Sequence, residues 1–241
     1  MNERRLAYYP VLLYSLLLLL VWIGSWLMGV VHLFTGGTGA VSSLMSSEGV
    51  RWTLLNVQGV LRAAPWGTFL FLIVIAGLLH GSGLLQFVAD VVRGKASSNE
   101  WRSFLFSQAA LMLYAAILFL FTVSPWDTMR GVTGGLVNSP FSHGWLLVLF
   151  FGVLMTSLVY GFMYGNYRTM MDVVSTSGAL FARSAPALMA MLPAAAIMPA
   201  MNYTGLASML GIDAGYSVFL ELALYTMPFV YLFCLGVFGK R

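Results

Sequence analysis

FARSAPALMAMLPAAAIMPAMNYTGL, residues 181 to 206, is long and apolar enough to cross a bilayer, yet it carries Arg183 and three prolines, Pro186, Pro193 and Pro199. A proline inside a helix removes one backbone hydrogen bond and crowds the carbonyl one turn back, so this stretch predicts a transmembrane helix broken by its prolines. In lipid, broken backbone persists only where protein or a wet cavity satisfies it. Transporters use such helices to present backbone groups to a solute; close packing against Ala-rich neighbours is the structural alternative.

The remainder of the chain supports the membrane reading. Of 241 residues, 60% are hydrophobic and 8% charged, against roughly a quarter charged in soluble domains, and the mean hydropathy is +0.87. Apolar segments fall at about 9–31, 66–91, 104–123, 144–164, 178–200 and 216–238, each near the roughly 20 residues that a span needs. The expected fold is an all-α integral membrane protein: a single transmembrane domain, 1–241, of about six transmembrane helices. Within the longest loop, Trp52, Leu54, Leu55, Val57 and Val60 add one interfacial helix, with Arg51 and Arg62 toward headgroups. The first apolar run is longer than the core of a signal peptide and reads as a retained span. The turn-rich stretch from Ser124 to Gly144 reads as a non-helical external loop.

Basic residues set the orientation. With the N-terminus inside, the inner side holds Arg4, Arg5, Arg93, Lys95, Arg102, Arg168, Lys240 and Arg241, and the outer side only Arg51, Arg62 and Arg130. A multi-pass protein of the cell inner (plasma) membrane, with both termini cytoplasmic, is expected. The scattered charge leaves no footprint for nucleic acid. No metal cluster, nucleotide loop or nucleophile with its base appears, so no cofactor and no enzymatic activity are expected. Paired histidines for haem fail on depth: His80 is central, whereas His32 and His143 lie near the outer surface. Cys234 is the single cysteine.

Several polar residues stand out against this apolar background. Arg183 lies within the fifth span, where it either snorkels to headgroups or meets an anion, freed carbonyls or a carboxylate. Glu221 is an acidic residue well inside a span, and calls for protonation, water or a partner subunit. His80 sits beside Gly81, Ser82 and Gly83, where an interhelical hydrogen bond competes with proton coupling. Asp90 and Asp172 stand at span ends, where solvation or helix capping accounts for them. Asp172 with Ser175, Thr176 and Ser177 also forms a polar entrance to the fifth helix.

Two blocks carry a family resemblance. In 46–85, the residues Glu48, Gly49, Arg51, Trp52, Pro65, Gly67, Ser82, Gly83 and Leu84 follow an E-G-x-R-W motif, a loop, an apolar run and an S-G-L end. In 159–211, the residues Tyr160, Gly161, Gly165, Arg168, Thr169, Asp172, Val173, Val174, Asn202, Tyr203, Thr204 and Leu206 follow Y-G-x-x-x-G-x-x-(K/R)-(S/T), D-V-V and an N-W-(S/T)-like end. This pattern resembles the p-aminobenzoyl-glutamate (AbgT-type) transporters. The resemblance implies a small membrane transporter that moves an anionic or amphipathic solute with cation coupling. For such a transporter, Arg183, Asn202, Thr204 and Ser177 are the residues expected at the solute and Glu221, His80 and Asp172 those expected at the coupling proton or cation. Members of that family are about twice as long, with two re-entrant hairpins built on inverted repeats. This chain lacks matching hairpin tips and has His80 where the family has Glu. The same departures suit an accessory or structural subunit of a multi-chain membrane complex. The expected partners are membrane lipid and either further copies of the chain or a second membrane protein.

Overall fold

In the computed structural model of the chain, residues 6–35, 42–123, 129–130, 135 and 139–236 are described. Arg4, Arg5, Lys240 and Arg241, which contribute to the expected orientation, lie outside these residues, as does the side chain of His32. Every regular element among the described residues is helical: α1 (Tyr9–Thr35), α2 (Ser47–Ala63), α3 (Trp66–Ser82), α4 (Leu84–Val92), α5 (Ser98–Val123), α6 (Pro140–His143), α7 (Trp145–Tyr164), α8 (Met170–Thr204), α9 (Leu206–Met209) and α10 (Ala214–Cys234). Six stretches are long and apolar enough to cross a membrane: Tyr9–Val31, Ser47–Ser82, Ser98–Thr122, Trp145–Tyr164, Met170–Thr204 and Gly215–Cys234. The second of these holds two helices. Ala64, extended at ψ 137°, ends α2 just before Pro65, as the residue preceding a proline is steered out of the helical region. The chain is an all-α, multi-pass membrane protein.

Two details differ from the sequence reading. The break does not lie at the prolines: α8 runs as one helix through Pro186, Pro193 and Pro199. The carbonyls one turn earlier, at Ala182, Met189 and Ala195, receive no intrahelical N–H. More than half of the apolar window of α8, 56%, is buried within the protein, so close packing holds the helix together where three ladder bonds are missing. The interruption falls instead in the second span, at Gly83, whose φ of +83° separates α3 from α4. The connection between α5 and α7 also contains one helical turn, α6, capped reciprocally by Ser139 and Ser142.

The chain divides into two compact units, residues 1–65 with 183–241, and residues 66–182. In the first, Leu44 is fully buried and its amide donates to the Ser25 hydroxyl of α1 at 3.1 Å. Ser46 caps α2 through the Gly49 amide at 3.1 Å. A Cβ at Gly49 would strike the backbone of Ser43 and Leu44, so the start of α2 requires glycine. Farther along α2, Leu54 and Leu55 are 71% and 72% exposed, which suits a helix at a lipid interface. Trp52 stacks on Tyr203 of α8 with ring centroids 4.3 Å apart, and the Tyr231 hydroxyl of α10 donates to the Leu6 carbonyl at 3.2 Å.

The second unit is organised around α7, which packs most extensively on α5 and α3 and also touches α4. Leu78 of α3, Tyr167 of the loop after α7 and Val173 of α8 form a buried cluster flanked by Val74, Leu154 and Leu158. Small residues permit the close approach: a Cβ on Gly77 would come within 2.9 Å of the Ser177 Cα, and one on Gly161 would enter the Tyr167 ring. Gly161→Val should therefore lower the yield of folded, monodisperse protein and its thermal midpoint, with a destabilisation of about 1–3 kcal/mol. Size-exclusion profiles and melting curves beside the exposed control Gly67→Ala check this.

Candidate functional site

The interruption at Gly83 leaves the C-terminal carbonyls of α3 without their normal helical donors, and within the membrane each such group needs a substitute. The structure supplies them individually. The Ser82 hydroxyl donates to the Leu79 carbonyl at 3.1 Å and the Gly83 amide to the His80 carbonyl at 3.4 Å, while the Tyr167 hydroxyl adds a second donor, at 3.0 Å, to the Leu78 carbonyl one residue before the freed set. The Asn166 side-chain amide donates to the Ser82 carbonyl at 2.7 Å. Burial pushes the Tyr167 phenol up to about 12, so it remains a neutral donor at physiological pH. Asn166 and Tyr167 follow Gly165, which ends α7 with φ +93°. That left-handed turn carries the chain back toward the break.

The polar residues expected at the entrance to the fifth span gather on the same unit. Ser177 lies against Gly77, and a Cβ on Gly81 would collide with Thr176 and the Tyr167 hydroxyl. Asp172 caps its own helix: its carboxylate accepts from the amides of Arg168 and Thr169 at 2.9 and 2.8 Å. His80 lies one turn before the break and is half-buried. Asn166 was not among the residues singled out in the sequence; an Asn-Tyr pair directly after the glycine that ends a span is the signal that marks it.

The first unit holds the other expected residues. Arg183 is half-buried in α8, next to buried Ser184. Asn202 is exposed. Thr204 is fully buried and spends its hydroxyl on the Ala200 and Met201 carbonyls of its own helix. The Glu221 carboxylate accepts from the Tyr225 hydroxyl at 3.0 Å, and Tyr225 is only 3% exposed. A cavity of about 590 Å³ opens between α1, α8, α9 and α10, lined by Met28, Met198, Met201, Met209, Leu210 and Leu224 among others. A second, of about 650 Å³, lies between α1 and α10 and includes Tyr9, Leu13, Tyr14, Met227, Pro228 and Tyr231. Flexible thioethers suit the first to apolar matter of variable shape. The structure thus distributes the expected solute and coupling residues over both units: Ser177, His80 and Asp172 in one, and Arg183, Asn202, Thr204 and Glu221 in the other. Among the described residues, no group of three His, Cys, Asp or Glu side chains is placed to hold a metal ion.

Comparison with family models, with curated proteins and with solved structures finds no match. The Gly83 break itself is open to test. Tyr167→Phe preserves the ring and removes the bond that ties the loop to the Leu78 carbonyl, so a loss of about 0.5–1.5 kcal/mol is expected. Gly83→Ala places a side chain in the left-handed region at a cost of about 1–2 kcal/mol and presses on Asn166. Thermal unfolding of both variants in the same detergent measures these effects, and unchanged midpoints would show that the break is not held as described.

Proposed function

We propose that this chain is a small membrane transporter that moves an anionic or amphipathic solute, coupled to a cation, in the cell inner membrane with both termini cytoplasmic. The observation that carries this reading is the interrupted second span, whose freed Ser82 carbonyl is held by the Asn166 side chain of a neighbouring loop. Such an interruption costs backbone hydrogen bonds in lipid, and transporters retain it where helices rearrange around a solute. The methionine-lined cavity of about 590 Å³ falls within the volume range of small-molecule sites and offers room for the apolar part of a solute. Arg183, a half-buried cation in an apolar span, lies about 21 Å along α8 from Ile197 of that cavity and would attract the solute's charge at a separate stage of passage. The sequence resemblance to p-aminobenzoyl-glutamate transporters points in the same direction.

One observation favours a second reading, that of an accessory subunit in a multi-chain complex. Only 11% of the apolar window of α1 and 6% of that of α5 are buried, leaving long apolar faces for lipid or another membrane protein to cover. Purification from native membranes, native mass spectrometry and reconstitution into vesicles separate the two readings. For a transporter, the chain is recovered alone or as a homo-oligomer, drives uptake of labelled aromatic carboxylates, and loses at least about tenfold of that uptake on Arg183→Ala, equivalent to about 1.4 kcal/mol. Stoichiometric recovery with a different chain, and no uptake alone, would establish the accessory reading in its place.

A further inference from the structure

In the second unit, α5 and α7 share a buried polar seam. Two cross-helix hydrogen bonds define their pairing: Tyr164 hydroxyl to Glu100 carboxylate at 3.4 Å, and Tyr114 hydroxyl to Val148 carbonyl at 2.8 Å. The helices therefore run antiparallel, and Ser103 comes level with Tyr160 and Ser107 with Ser157. Glu100, Ser103 and Ser107 recur at the spacing of one helix face, as do Tyr164, Tyr160 and Ser157. Glu100 is 9% exposed, Ser103 2%, and Ser107, Ser157 and Tyr160 are fully buried, while Tyr164, 36% exposed, stands at the open end of the seam.

The hydrogen-bond pattern of this seam is incomplete. Ser103 and Ser107 donate to carbonyls of their own helix, Asn99 and Phe104, at 3.0 and 2.7 Å, which leaves their oxygens as acceptors. The hydroxyls of Tyr160 and Ser157 have no hydrogen-bond partner. Glu100 accepts from the Ser97 amide at 2.7 Å and from Tyr164, both neutral donors that leave its negative charge in place. Tyr160 lies within electrostatic range of Glu100, Asp90 and Tyr164. Its ring stacks on that of Tyr164 at 5.7 Å and packs on Phe87 of α4 at 5.8 Å. Phe87 in turn meets Trp101 and Phe104.

A buried carboxylate beside neutral hydroxyl oxygens, with two hydroxyls unused, suits a hard cation of single charge. One carboxylate balances one such charge, whereas a divalent ion calls for more carboxylate ligands. We propose that the seam binds a monovalent cation of the sodium class, held by the Glu100 carboxylate with the hydroxyl oxygens of Tyr160 and Tyr164, while Asp90 of α4 adds negative potential. This site deepens the cation-coupled reading given above, and cation binding to the purified chain is measurable whether or not a solute moves.

The test is thermal unfolding of the purified full chain in detergent at fixed pH, as sodium chloride replaces choline chloride at constant ionic strength. A ligand that binds only the folded state raises the midpoint, so a saturable rise with sodium is expected. Tyr160→Phe keeps the ring and removes only an unpartnered hydroxyl; in choline it should unfold no earlier than the parent chain, yet its apparent sodium affinity should fall at least about tenfold. Glu100→Gln keeps an acceptor for the Ser97 amide and should lose the response altogether. Identical curves in sodium and choline, a Tyr160→Phe variant that answers sodium like the parent, or stabilisation that follows pH in place of sodium would each overturn the site. Sodium binding lost in both variants, without uptake of any solute by the parent, would leave the cation site standing and remove the transport reading.

Discussion

The obligation to satisfy every backbone amide and carbonyl inside a hydrocarbon layer is the constraint on which this structure depends. Most of the chain meets it with uninterrupted helices. Gly83 is the conspicuous exception, and the loop from Gly165 to Thr169 is shaped around it: the left-handed Gly165 turns the chain, Asn166 reaches the Ser82 carbonyl and Tyr167 the Leu78 carbonyl. The glycines at 77, 81 and 161 follow from the same requirement, because Tyr167 and the start of α8 must approach α3 closely for those bonds to form. The local packing of the second unit thus follows from one missing stretch of helical ladder.

In α8 the same obligation has a different solution. Three prolines remove three ladder bonds without ending the helix. What replaces them is lateral contact: Ala187, Ala190, Met191, Ala194, Ala195, Met198 and Ala200 are all buried. Alanines permit neighbouring backbone to come near, and dispersion over a close, continuous contact compensates for absent hydrogen bonds where lipid offers no hydrophobic drive. Proline removes a donor but does not by itself impose φ > 0, whereas Gly83 does adopt such a conformation. A chain can therefore remain helical through Pro186, Pro193 and Pro199 and still be interrupted at a glycine.

That contrast explains what could be read from the sequence. The spans, the separate helix around Trp52 and the membrane class follow from the length and periodicity of apolar runs, which depend on neighbouring residues alone. The position of the break does not, because a proline and a glycine are both candidates locally and only tertiary packing decides between them. Residues with a simple local role were legible: the Thr169 and Asp172 cap is written in its spacing. Asn166 and Tyr167 were not: each acts on a residue far away in the chain, and in the sequence each sits in an ordinary polar stretch at the end of a span. Glu100 has a local role, the reciprocal cap with Ser97 at the start of α5, and its contact with Tyr164 is not visible in that spacing. Tyr160 was visible only as part of a motif, since its unpartnered hydroxyl is a property of the packed helices.

Glu221 and Glu100, two partly or largely buried carboxylates in the spans, share a chemical solution that bears on mechanism. Glu221 accepts from Tyr225, and Glu100 from Tyr164. An arginine or lysine in either place would cancel the charge and lock the group into an ion pair that is expensive to open in a medium of low dielectric. A phenol satisfies one lone pair and leaves the charge uncompensated, so the carboxylate retains affinity for a small cation or a proton that arrives from outside. The phenol can also swing away at the cost of a single neutral hydrogen bond. Tyrosine in place of a basic partner therefore keeps a buried carboxylate exchangeable, whereas a buried ion pair would make it structural. Both units of this chain carry that arrangement, one on a single helix and the other across a helix pair, and among the described residues it is the pair at Glu100 that lies on a seam with two unpartnered buried hydroxyls, Ser157 and Tyr160.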